Sequence, residues 1–250
     1  MQPHAIRFAC TGCGGCCKGR LIPLTLQETR QWLQRGHDVA VILEAFDAST
    51  WPSQPEQWAH NARRSVEVGS GRAKVRVIAV FAANALNHCP NLGENDLCGI
   101  YHERPLVCRI YPMEINPFIT LRPEHKGCPP EAWQQGEVLF TDRIVDPALQ
   151  RQVNQSRQAD RDDARAKVAV CEALGLTVAA WKEDALAVYL PDRVQLADAI
   201  ARQDAGLAAA PAACWRVRVD TPGLSERLAV AGVALAPAAA AAGYTFYPLK

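Results

Sequence analysis

Eight of the ten cysteines fall within the first 128 of 250 residues, and four of them form one run, Cys10-Thr-Gly-Cys13-Gly-Gly-Cys16-Cys17. Thiols spaced two residues apart cannot all bridge one another, but a tight turn can point them all the same way. Gly12, Gly14 and Gly15 permit such a turn, because glycine reaches backbone angles closed to other residues. Amide N–H groups in the turn can also be aimed at anionic sulfur. The run therefore marks the chain as a metal protein, and the expectation is an N-terminal half folded around a thiolate metal site.

The remaining cysteines of the set are Cys89, Cys98, Cys108 and Cys128. Soft thiolate donors select zinc or iron–sulfur clusters. Four complete one such site and eight complete two. Structural zinc sites usually pair two close C-x2-4-C knuckles, whereas the gaps in the second region are eight, nine and nineteen residues. Bacterial ferredoxins combine the C-x2-C-x2-C spacing with a remote cysteine followed by proline. This chain has that spacing and two Cys-Pro dipeptides, Cys89-Pro90 and Cys128-Pro129. It lacks a fourth cysteine three residues after the run, so it is not a ferredoxin. The spacing thus leans towards an iron–sulfur cluster, with Zn2+ as the alternative. Adjacent side chains diverge in most backbone conformations. Cys16 and Cys17 are therefore expected to serve two neighbouring centres, or one centre with Cys17 held in reserve.

Other residues invite plainer readings. Cys171 and Cys214 lie outside the set and are expected to be small core residues. His88, His102 and His125 are expected to be surface or hydrogen-bonded residues rather than ligands. The charged stretch from Arg157 to Lys167 reads as a solvated helix face. A thioredoxin-like reading of Cys10-x2-Cys13 lacks its strand-to-helix context. No Ser-His-Asp arrangement, phosphate-cradling glycine loop or H-E-x-x-H is visible.

Composition bounds the partners and the compartment. A formal net charge of +1 gives no sign of nucleic-acid binding. Met1 to Ala9 carries His4 and Arg7 and has no continuous apolar stretch of the kind an export signal needs. The alanine-rich segment Leu228 to Gly243 contains Pro237 and is shorter than the ~20 residues of a helical membrane span. It reads as a helix followed by a connector. The expectation is a cytoplasmic protein with no membrane partner.

Along the chain, Thr25-Leu-Gln-Glu28 reads as a capping box opening a helix that stops near Gly36. Asp38 is expected to cap a second helix carrying Val41, Ile42, Ala45 and Phe46. A short helix is expected to end near Val66, and Lys74 to Phe81 reads as a strand entering the core. Pro129 or Pro130 to Gln135 reads as a short helix. Further helices are expected over Asp146 to Leu174, Thr177 to Leu190 and Pro191 to Asp204. Trp215 to Asp220 and Tyr244 to Leu249 read as short strands. The fold class is then a helix-dominated α+β protein. Residues 1–140 would form a loop-rich cysteine-cluster metal-binding domain, and residues 141–250 a mainly helical accessory region.

The ordered motifs Cys10-x2-Cys13-x2-Cys16-Cys17, Cys89-Pro-Asn-Leu, Cys98-Gly-Ile-Tyr101-His-Glu-Arg104-Pro105-Leu-Val-Cys108-Arg109-Ile-Tyr-Pro112 and Cys128-Pro129 resemble the CxxCxxCC putative zinc- or iron-chelating domain, the YkgJ-like cysteine-cluster proteins. The resemblance covers roughly residues 8 to 130 and implies an iron–sulfur or metal-chelating protein. A related domain occurs in flagellin lysine methylases, but nothing in this chain resembles a separate methyl-donor site. Arg104 and Arg109 can offset the charge of a thiolate site, and Tyr101 and Tyr111 can shield it from water. The leading expectation is an iron–sulfur protein with an electron-transfer or redox-sensing role and a redox partner protein. The alternatives are a zinc- or iron-chelating structural or storage module and a metal-dependent modifying enzyme.

Overall fold

The computed structural model describes residues 5–207, 214–237 and 243–249. In chain order, the first part carries β1 (Ile6–Arg7), β2 (Arg20–Leu24), α1 (Leu26–Gln34), β3 (Val39–Phe46), α2 (Pro55–Arg63), β4 (Val66–Ser70) and β5 (Ala73–Ala85). There follow α3 (Leu106–Arg109), β6 (Val138–Phe140), α4 (Pro147–Asp162), α5 (Ala164–Ala173), β7 (Val178–Trp181), β8 (Ala185–Tyr189), α6 (Arg193–Asp204), β9 (Arg216–Arg218), α7 (Pro222–Val230) and β10 (Tyr244–Pro248). Two compact units share these elements: residues 1–25 with 83–159, and residues 26–82 with 160–250. Both units are discontinuous in sequence, so the grouping cuts the chain at different points from the sequence-based division at residue 140.

A large, mostly antiparallel sheet organises the second unit. Its strands run in the order β10-β8-β3-β5, with β4 on β5, β7 on β3, and β9 on β7. β3 is antiparallel to β8, placing Val41 opposite Tyr189 and Leu43 opposite Ala187. It is parallel to β7 through Glu44 and Ala45, and β7 is parallel to β9. A strand hydrogen-bonded on both sides and covered on both faces shows an apolar run instead of alternation. Accordingly every residue of β3 except Ile42 is buried. Trp32, Phe46, Phe81 and Trp215 are among its fully buried side chains. The first amide of α1, Leu26 N, donates to the Asp163 carboxylate at 2.7 Å, a cap supplied from a distant part of the chain.

This sheet overturns the helix-dominated fold class: the chain is 35% helical and 24% strand. Two segments carry the difference. The expected helix after Asp38 is strand β3, because its apolar residues fit either period and only the surroundings decide. The expected helix Thr177 to Leu190 is the strand pair β7 and β8. Its alanines favour a helix intrinsically, but complete burial of β7 inside the sheet prevails. The long helix expected from Asp146 is two, α4 and α5, meeting at Asp163. Strand β5, helix α6 and the short strands β9 and β10 lie where the residue patterns put them. The alanine-rich connector falls largely at 238–242, outside the described residues.

The first unit has little regular structure. β1 pairs with β6 through Ile6–Phe140 and Arg7–Val138. A small core forms from Ile110, Leu149 and Val153, with Met113, Ile115, Leu139 and Ile144 packed against it. Arg157 on α4 donates to the Ile115 carbonyl at 2.9 Å. In the second unit, Arg64 and Asp160 form a half-buried ion pair, and Lys167 is 2% exposed. The stretch from Arg157 to Lys167 is therefore only in part the solvated face expected: Asp162 and Arg165 are exposed, whereas Arg157 and Asp160 are half-buried and paired and Lys167 is buried.

Candidate metal centre

All eight cysteines of the set lie in the first unit and all are free thiols. Cys89 is buried, Cys16, Cys17, Cys98, Cys108 and Cys128 are half-buried, and Cys10 and Cys13 are exposed. Backbone contacts hold the first run against the second cysteine region. Gly12 sits at φ +70°, and a Cβ there would lie 2.8 Å from the Leu97 side chain, next to Cys98. A Cβ on Gly15 would lie 2.6 Å from the Gly127 carbonyl oxygen, next to Cys128. The Cys89 amide donates to the Cys17 carbonyl at 2.6 Å. Glycine at position 15 is thus a condition of this close approach, while at position 12 it is the left-handed φ that favours glycine.

The second region is built from tight turns. Leu92 bridges Cys98, and the Gly99 amide donates to the Asn91 carbonyl at 2.8 Å, closing the loop between Cys89 and Cys98. Cys108 sits on the single turn of α3, which begins after the extended Arg104-Pro105 step. α3 packs against β2. Cys128 precedes the one-turn 3-10 helix Pro130–Trp133, found where a short helix is expected.

Cys16 and Cys17 occupy a 3-10 turn, and their sulfurs lie 3.8 Å apart. The expected divergence of this pair is not what the turn produces. Four thiolates held tetrahedrally about a zinc at about 2.3 Å have edges of about 3.8 Å. The Cys17 thiol hydrogen-bonds Cys16 and pushes it down to about 6, while Cys17, holding the shared proton, is pushed up. Burial pushes Cys108 up to about 12 and also raises Cys89 and Cys128.

Two overlapping neighbourhoods emerge from mutual charge. Cys108 feels Cys16, Cys89 and Cys98, and Cys17 feels Cys16, Cys89 and Cys108. Cys128 feels Cys13, Cys16 and Cys10. Cys16 belongs to both groups. The thiols share a neighbourhood without closing a coordination sphere: among the described residues, no three His, Cys, Asp or Glu side chains gather to hold a metal ion. That is a correction to the expectation of a half-chain visibly organised around a metal site. The donor chemistry nevertheless fits a soft metal, since the neighbourhood is rich in sulfur.

The surrounding charges divide the expected roles. Arg104 lies 3.7 Å over the Tyr101 ring and favours the thiolates of Cys16 and Cys108. Arg109 instead donates to the carbonyls of Arg104 and His102, at 2.6 and 3.3 Å, and ties the loop together. His88, His102 and His125 are exposed. Cys171 is fully buried, as expected, whereas Cys214 is exposed and not a core residue. Arg20, whose charge favours the Cys16 thiolate, was not singled out in the sequence, and neither were Phe8 and Lys126 around Tyr111.

No curated protein and no solved structure matches this chain. Residues 9–129 match the family described as the CxxCxxCC putative zinc- or iron-chelating domain, a span that takes in all eight clustered cysteines and excludes Cys171 and Cys214. What the comparison shows is a CxxCxxCC putative zinc- or iron-chelating domain over residues 9–129 of the chain.

Proposed function

We propose that the chain binds a transition metal through thiolates drawn from Cys10, Cys13, Cys16, Cys17, Cys89, Cys98, Cys108 and Cys128, and that the occupant is an iron–sulfur cluster used for electron transfer or redox sensing. The crowding of free, partly buried thiols around the Cys10–Cys17 run carries this reading. Buried thiols that raise one another's proton affinity resist ionisation, and a bound cation would relieve the repulsion between their thiolates. Cysteine spacing outside the zinc-knuckle pattern favours the cluster over a lone ion. The thiolates would supply the ligands, and the cluster would supply one-electron chemistry when bound. Arg104 would offset negative charge. A redox partner protein follows from an electron-transfer role, and free cysteines suit the reducing cytoplasm.

Zinc is the second reading, favoured by the 3.8 Å separation of the Cys16 and Cys17 sulfurs, which suits one tetrahedral edge. Protein purified without oxygen separates the two. Brown protein with visible charge-transfer absorption and acid-labile sulfide supports the cluster. Colourless protein holding stoichiometric zinc overturns the cluster and keeps the metal.

A further inference from the structure

The Tyr111 hydroxyl lies 3.2 Å from the Cys128 sulfur. Either atom can donate when both are protonated. Once Cys128 is a metal-bound thiolate it has no proton, so only the phenol can donate. The ring is held for this task from several sides. Phe8, two residues before Cys10, packs edge-on against Tyr111 with centroids 5.8 Å apart, and Phe8 itself packs on Trp133 at 5.0 Å. The Lys126 ammonium sits 5.5 Å from the Tyr111 ring centroid and is ion-paired with Glu114. Lys126 is two residues from Cys128, so the same strand of chain carries the sulfur and the cation that packs on the ring.

This goes beyond shielding from water. We propose that Tyr111 is a positioning residue for Cys128: its hydroxyl donates a hydrogen bond to the Cys128 thiolate and so fixes that sulfur's orientation and weakens its electron donation to the metal. Hydrogen bonds to ligand sulfur lower the energy of the sulfur lone pairs and shift ligand-to-metal charge transfer and redox potential. The inference rests on the metal-binding reading above, with Cys128 as a ligand.

Cobalt(II) added to the full-length, metal-stripped chain under reducing, oxygen-free conditions provides the readout, because thiolate-to-cobalt charge-transfer bands report sulfur donor strength directly. Tyr111→Phe keeps the ring, its packing on Phe8 and its contact with Lys126, and removes only the donor. The expected result is equal cobalt uptake with the charge-transfer bands moved to longer wavelength. Tyr101→Phe, whose ring carries Arg104, is expected to leave the bands in place. Coincident spectra for wild type and Tyr111→Phe overturn the proposal while leaving metal binding intact. A wild-type chain that takes up no cobalt overturns the metal-binding reading itself, and the inference with it. Should Tyr111→Phe fail to fold or lose its cobalt, 3-fluorotyrosine incorporated into the wild type decides. The fluorinated phenol is a stronger donor, so a shift to shorter wavelength supports the bond and an unmoved spectrum overturns it.

Discussion

Gly15 has no room for a side chain, since a Cβ would lie 2.6 Å from the Gly127 carbonyl oxygen, a main-chain group that cannot swing aside. Gly15→Ala is expected to destabilise the protein by about 1–3 kcal/mol in chemical denaturation and to lower bound metal. Gly19 provides the contrast: it sits at φ +68° in open space. Gly19→Ala is expected to cost only the left-handed strain, about 1–2 kcal/mol, and to leave metal content unchanged. Equal metal loss in both would contradict the importance given to the Gly15–Gly127 approach. A second pair of variants tests the cysteine set. Cys13→Ser is expected to reduce bound metal, while Cys214→Ser, exposed and outside the family span, is expected to leave it alone. What was legible at this scale is the cysteine-rich family pattern, which residues 9–129 match. The Tyr111–Cys128 bond was not, because it depends on Phe8 and Lys126 arriving from other parts of the chain.

Elements were harder to read than residues. Strand β5 announced itself, since Lys74-Val-Arg-Val alternates before the apolar run. β3 did not, because a central strand buried on both faces loses its alternation. Neither did β7 and β8, whose alanines carry helix propensity into a sheet. Helix α5 illustrates a related difficulty: its Lys167 looks like a surface charge but is 2% exposed. Burial holds the Lys167 amine below its ordinary value of 10.5, against the opposing pull of Asp160 and Asp163. The unfolded chain therefore binds more protons than the folded one between the lowered and the ordinary values, and stability gains with rising pH across that window. The same contribution is lost as pH falls through the folded-state value. Lys167→Met abolishes this slope. Wild-type stability relative to the variant, measured by urea denaturation, is expected to rise from neutral pH towards 10. A difference that stays flat or falls would contradict the buried-amine account.

For the whole molecule, no helix among the described residues is long and apolar enough to cross a membrane. The two units differ in what holds them: an extended sheet in one, and turns, one-turn helices and a small apolar cluster on α4 in the other. Metal ligation adds free energy where ligands come from separate loops. A chelator is therefore expected to speed hydrogen exchange at the Cys89 amide and along the neighbouring cysteine loops. Amides of β3 and β8 are expected to keep their protection. Uniform deprotection of both units, or none, would contradict a role for metal in the first unit. The central claim is that these thiols bind metal, and its most direct test is X-ray absorption at the iron and zinc edges of protein purified without oxygen. The account predicts stoichiometric metal with a coordination shell dominated by sulfur at about 2.3 Å. Protein free of iron and zinc, or metal bound only by nitrogen and oxygen, would contradict it.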